Sequence, residues 1–133
     1  MSESETPGRL ETMEPNPVWD AAGYEDAVAV FEALADDVVV KVWGGDWCKD
    51  CRRQLPDFAA ALDAAGVERI EHYPVEKADD GSKVGPQVDA YGVEYIPTVV
   101  VEREDAELAR FVEEEDVPIV VYLARELEPY VEE

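Results

Sequence analysis

One stretch constrains this chain more than any other: Val38-Val39-Val40-Lys41-Val42-Trp43-Gly44-Gly45-Asp46-Trp47-Cys48-Lys49-Asp50-Cys51. A β-branched run, a Gly-Gly pair and then a long periodic segment predict a buried strand, a tight turn and a helix whose first turn carries both sulfurs. Both cysteines of the 133-residue chain lie here. Two thiols one helical turn apart can close a disulfide within that turn. Cys48 is expected at an exposed helix N-terminus, where unpaired backbone N–H groups and the helix dipole favour a thiolate over a thiol.

The flanking segments supply what such a strand and helix need. Tyr24, Ala27, Val28, Phe31, Leu34 and Ala35 recur at helical spacing, predicting a helix over 24–35 that feeds a strand over 38–43. Past the C-x-x-C, Cys51, Leu55, Phe58, Leu62 and Ala65 form one stripe, and Gly66 offers a C-terminal cap. Pro56 falls inside this helix, where it removes a backbone bond at a cost of about 3 kcal/mol before tertiary compensation. A second strand is expected over 67–75, a turn at Asp79-Asp80-Gly81-Ser82, and a short helix over 86–91 with Gly92 as its stop. A third strand over 95–101 carries Pro97 near its start, where a strand tolerates proline. Glu104-Asp105 turns it into a hairpin partner over 108–112. The last helix has Asp116 as its cap, Pro118 in its first turn, an apolar face of Val120, Ala124, Leu127 and Val131, and Pro129 to fray or end it. This order implies an α/β domain over 18–133, with a central mixed sheet covered by helices on both faces. Residues 1–17, with Glu3, Glu5, Glu11, Glu14, Pro7, Pro15 and Pro17, read as a mobile acidic tail holding a short strand over 9–13.

Charge narrows the partners. The chain carries 33 Asp and Glu against 11 Lys and Arg, a formal net charge of -22. Such a surface repels nucleic acid phosphates and anionic membranes, so neither is an expected partner. The acidity is read as adaptation to high intracellular salt, because at about 1 M the Debye length is about 3 Å and self-repulsion is largely screened. The first residues lack the basic start and apolar run of a secretory signal, and no segment approaches 18 uninterrupted apolar residues. A cytoplasmic protein is the expectation. In that reducing compartment a C-x-x-C is more often redox-active or metal-binding than a structural staple.

Trp47-Cys48-Lys49-Asp50-Cys51, Pro56 five residues past the second cysteine, and Ile96-Pro97-Thr98 ahead of a valine run together resemble the thioredoxin family. The resemblance spans roughly residues 24–131. It implies a thioredoxin fold and a protein disulfide oxidoreductase, with Cys48 as nucleophile and Cys51 as resolving thiol. It also implies that Pro97 is a cis-proline facing the dithiol, that the Ile96 backbone pairs with an extended substrate peptide, and that Trp47 flanks the sulfurs. Partners implied are disulfide-containing proteins and a thioredoxin-reductase-like electron donor; no organic cofactor or metal is required, and a monomer is expected.

The departures are specific. Lys49-Asp50 stands between the cysteines where thioredoxin itself has Gly-Pro, so the redox potential does not carry over; a cation there lowers a thiol pKa and an anion raises it. Six residues before Cys48, where the family keeps a buried carboxylate that moves protons for the resolving thiol, this chain has Val42. Gly44-Gly45 replaces a bulkier pair, and the acidic run over 113–116 stands where a glycine-bearing loop usually flanks the groove. The W-C-x-D-C variant is similar to thioredoxin-related proteins that reduce selected disulfides. His72, the only histidine, aligns with a buried lysine of the family and has two readings: a proton acceptor for Cys51, or a strand histidine with ordinary partners. Lys41 amid valines needs a carboxylate or a route to solvent. Two other functions remain open at this point: a zinc site built on the two thiols and His72, and an adaptor that binds partners without turnover.

Overall fold

The computed structural model describes residues 11–45, 48–77, 83–85, 87–104, 106–112 and 117–131. Asp20 caps a 3-10 turn, Ala21–Tyr24, by accepting the Ala22 N–H at 2.9 Å. The turn runs into helix α1 (Glu25–Leu34), which buries Ala27, Phe31 and Leu34. Strand β1 (Val39–Gly44) follows, then helix α2 (Lys49–Ala65). Gly66 ends α2 at φ 79°, a left-handed conformation that glycine adopts without a Cβ clash, and its N–H reaches the carbonyls of Leu62 and Asp63.

Beyond it come β2 (Ile70–Pro74), the two-residue strands β3 (Glu76–Lys77) and β4 (Lys83–Val84), and α3 (Val88–Tyr91). A hairpin of β5 (Thr98–Arg103) and β6 (Ala106–Val112) leads to α4 (Ile119–Val131). The four-stranded sheet has the order β2-β1-β5-β6. Only β1 and β2 run parallel; β1–β5 and β5–β6 are antiparallel, so the sheet is mixed as the sequence implied.

Residues facing each other across strands share a face of the sheet. Val40 and Val42 of β1 therefore share one with Ile70, His72, Val99, Val101 and Phe111. This face is the apolar one. Phe111 meets Tyr122 of α4 edge-on at 5.7 Å, and α4 packs with α1 and α2, where Phe31 meets Phe58 at 6.2 Å. Lys41 and Trp43 point to the opposite face with Glu71, Tyr73 and Glu102, beneath Tyr91 of α3. Helices thus lie on both faces, three on one and the short α3 on the other.

Three expectations change. The segment expected to hold a strand over 9–13 instead forms a 3-10 turn at Glu11–Met13. Met13 is 3% exposed and belongs to the core. Asn16 ties this stretch to α2: its N–H donates to the Pro56 carbonyl at 3.0 Å and its Nδ2 to Asp57 Oδ1 at 2.7 Å. Packing therefore begins before residue 18, because one buried methionine and one asparagine anchor a stretch with no period of its own. Second, β5 begins at Thr98 rather than 95, since Pro97 has no N–H to give the ladder. Third, Pro129 lies inside α4 without ending it; in the last turn it removes only one intrahelical bond. The turn at 79–82, Asp105, the cap Asp116 and the acidic run 113–116 lie outside the described residues. No helix among the described residues is long and apolar enough to cross a membrane.

Candidate active site

The apolar β1 stops at Gly44, and Gly45 turns the chain by accepting the Cys48 N–H at 3.0 Å. Cys48 is then the N-cap of α2, with extended backbone at φ -86°, ψ 122°. Its Sγ accepts the Cys51 N–H at 3.3 Å, one of the donors a helix start leaves unpaired. The two sulfurs thus sit within the first turn as free thiols.

Burial separates them from the expectation of an exposed Cys48. Cys48 is 9% exposed and Cys51 is fully buried. The cover comes from a remote segment: the Cys48 Sγ lies 3.9 Å from the Ile96 carbonyl, which accepts its S–H. The Ile96–Pro97 peptide bond is cis. Ile96 is itself buried, Tyr95 beside it is 46% exposed, and Thr98 Oγ1 donates to the Tyr95 carbonyl. Burial pushes the Cys51 thiol well above the ordinary thiol range; its hydrogen bond with Cys48 adds to this, the Gly45 backbone opposes it, and the charge of Asp50 raises it slightly further. Cys51 therefore rests as a neutral thiol.

Of the residues between the cysteines, Lys49 is exposed, while Asp50 forms an ion pair with Arg53 at 3.2 Å. Trp47 lies outside the described residues. His72 shares the face of Ile70, as the strand alternation predicts, and stands in register with Val42 across β1 and β2. The half-buried imidazole and the fully buried valine thus occupy adjacent strands on the apolar face.

The opposite face resolves Lys41. Its Nζ lies 3.4 Å from Glu102 and 3.6 Å from Glu71, with the Tyr91 ring at 5.3 Å. The Tyr91 hydroxyl bonds Glu102, and the Tyr73 hydroxyl bonds Glu71. Burial alone would lower the Lys41 pKa, but the hydrogen bond to Tyr91 and the charges of Glu102 and Glu71 outweigh it and the net direction is upward. Tyr73 is pushed up to about 12, first by burial and then by its bond to Glu71. Trp43 stacks on Tyr73 at 4.8 Å and tilts against Tyr91 at 4.9 Å. Arg110 finishes the cluster, donating to the Tyr91 carbonyl at 2.8 Å while pairing with Glu107 at 2.9 Å.

The sequence did not single out Glu71, Glu102 or Tyr91 as partners of Lys41. The signal was there in part: both glutamates occupy strands. Their register against β1, which only the fold supplies, was missing. Among the described residues, no group of three or more His, Cys, Asp or Glu side chains is arranged to hold a metal ion.

No protein-family model matches the sequence, and no curated protein matches it. Solved structures do. The oxidized form of mitochondrial thioredoxin 3 from Saccharomyces cerevisiae is similar at 16% identity and a TM-score of 0.51, over 77% of this chain and 89% of that one. A mutant thioredoxin from Halobacterium salinarum aligns at 24% identity and a TM-score of 0.47, over 93% of this chain and 96% of that one. Thioredoxin from Trypanosoma brucei brucei aligns at 14% identity and a TM-score of 0.45, over 95% and 98% of the respective chains. The likeness to the yeast structure establishes a thioredoxin fold.

Proposed function

We propose that this protein is a thiol–disulfide oxidoreductase that reduces protein disulfides through Cys48 and Cys51. The observation that carries the reading is the placement of both thiols in the first turn of α2, with the first against the Ile96 carbonyl beside a cis Ile96–Pro97 bond. In the proposed cycle, the Cys48 thiolate attacks one sulfur of a substrate disulfide. A Cys48–substrate bond forms, the substrate S–S bond breaks, and one substrate thiolate leaves. Cys51 then gives up its proton and attacks Cys48 Sγ. A Cys48–Cys51 disulfide forms, the second substrate thiolate leaves, and two electrons have passed to the substrate. A dithiol donor of the reductase type returns the protein to its starting state.

The helix start supports these steps, because the Cys51 N–H and the positive end of the α2 dipole stabilise negative charge on the Cys48 sulfur. The buried Cys51 needs a proton acceptor, and Val42 provides none. In this reading His72, in register with Val42 on the same face of the sheet, is the candidate acceptor. Ile96 and Pro97 present backbone to the substrate, and Lys49 and Asp50 tune the sulfurs. The protein acts as a monomer in a salt-rich cytoplasm, where the dithiol is kept reduced.

The near-complete burial of Cys48 favours a second reading, a thioredoxin-fold module that binds partners without turnover. Insulin reduction by the protein with dithiothreitol in about 2 M salt separates the two. Activity above that of Cys48→Ser, with Cys51→Ser trapping substrate as a mixed disulfide, is the expected result. Wild-type activity equal to that of Cys48→Ser would remove the redox reading.

A further inference from the structure

Three of the chain's 11 basic residues, Lys49, Arg52 and Arg53, fall within five consecutive positions of a sequence holding 33 acidic ones. They open α2 at i, i+3 and i+4, the spacing that places side chains on one helix face. All three are exposed. Two other cations are held by carboxylates, Lys41 by Glu71 and Glu102 and Arg110 by Glu107, while the exposed Arg69 and Arg125 stand far apart in sequence. Among the described residues, Asp50 is the one carboxylate paired with the stripe, through Arg53 at 3.2 Å. The stripe extends about 6 Å along the helix axis, and its first residue adjoins Cys48, the N-cap at the positive end of the helix dipole. A surface of formal net charge -22 thus carries a cationic island beside its most reactive sulfur.

We infer that the protein substrates of this site carry acidic residues next to their disulfide, which pair with Lys49, Arg52 and Arg53 as the substrate sulfur reaches Cys48. This rests on the redox reading proposed above. The physics of a salty medium favours recognition by contact. With a Debye length of about 3 Å at about 1 M salt, repulsion between two acidic proteins is screened beyond direct contact, whereas ion pairs partly buried as the substrate docks are screened much less. The guanidinium groups of Arg52 and Arg53 suit carboxylates in particular, since their planar fork donates two parallel hydrogen bonds. An acidic partner whose long-range repulsion is screened by salt meets complementary charge at this stripe.

The test uses two synthetic disulfide-bridged peptides that differ only in their flanks, Asp and Glu in one and Asn and Gln in the other. A small neutral disulfide, bis(hydroxyethyl) disulfide, reports the dithiol's own reactivity. Rates of reduction by the reduced protein are measured in about 1 M potassium chloride. The acidic peptide is expected to react about three- to ten-fold faster than the neutral one, as two or three exposed ion pairs would give. Arg52→Gln/Arg53→Gln should lower that ratio to the roughly two-fold that Lys49 alone would give. Arg69→Gln/Arg125→Gln makes the same charge change at exposed positions elsewhere and should leave the ratio intact. If circular dichroism shows the Arg52/Arg53 variant unfolded, Lys49→Gln is read instead, with a fall in the ratio of about two-fold expected. Equal rates for the two peptides with the wild-type protein, or equal loss of preference in both arginine variants, overturns the inference while leaving the redox reading in place. Failure to reduce even the small disulfide overturns the redox reading itself.

Discussion

On one face of β1, Lys41 lies between Glu71 and Glu102 under the Tyr91 ring, with Trp43 stacked beside it. At the end of the same strand, across a two-glycine turn, α2 opens with Lys49, Arg52 and Arg53 in solvent and a single paired carboxylate among them. Both regions are built from cations, carboxylates and the residues between them. In the first, Lys41 and Glu102 are largely withdrawn from water, with Glu71 at the solvent edge, and their positions are fixed by three strands and a helix. In the second, charges are hydrated, mutually near and free to meet another molecule. Desolvated pairs are costly to break, while exposed ones contribute little to folding. The fold thus puts a packed charge cluster on one side of the turn and the dithiol with its exposed cations on the other.

That division can be broken by mutation. The largest effect should come from Trp43→Ala, which empties a fully buried site between Tyr73 and Tyr91. A loss of about 3 to 5 kcal/mol in urea unfolding is expected. Lys41→Ala should follow at about 2 kcal/mol, because it leaves the buried Glu102, 8% exposed, without its cation beside the Tyr91 hydroxyl. Lys41→Met combined with Glu102→Leu should recover most of that loss, since replacing both charges by apolar groups removes the stranded carboxylate. If the double variant were as unstable as the single one, the cluster would act through its shape rather than its charges.

Alkaline pH probes both regions at once. Cys51 has its pKa raised in the folded state, so once pH exceeds the unfolded thiol value near about 8.5, the unfolded chain has lost a proton that the folded one retains. Stability must then fall as pH rises. Lys41 and Tyr73, also raised, add a second decline beyond about pH 10. Urea titrations from pH 7 to 11 should show both stages, and Cys51→Ala should abolish the first while sparing the second. The smallest effect is expected for Asp50→Asn, which removes a partly exposed pair and should alter stability by less than about 0.5 kcal/mol. The same variant should lower the Cys51 pKa, because the Asp50 charge raises it. Alkylation of Cys51 in a Cys48→Ser background reads that change directly.

The sequence made the dithiol end of the molecule more legible than the opposite face. The Val run, the Gly-Gly pair, the apolar stripe past Cys51 and the Gly66 cap are local signals, and each appears where its period or turn chemistry places it. Ile96-Pro97-Thr98 marked the remote segment that meets Cys48. Its consequence for burial was not visible, since a residue that appears exposed on its own helix can be covered by a segment 48 positions away. The Lys41 cluster depends wholly on register between three strands, which no local pattern encodes. Met13 escaped notice for a simpler reason: apolar residues as sparse as those of an acidic, proline-rich stretch have no period to detect.

In the proposed cycle Cys48 and Cys51 form a reversible redox couple. Equilibrating the purified protein in about 1 M salt against graded dithiol and disulfide buffers, then counting free thiols by mass after alkylation, tests it directly. The expected result is a single two-electron transition between free thiols and a Cys48–Cys51 disulfide. A midpoint near about -270 mV would mark a reductant, and one near about -120 mV an oxidant. Two thiols that remain alkylatable across the whole range, or that pair only between molecules, would rule out the couple.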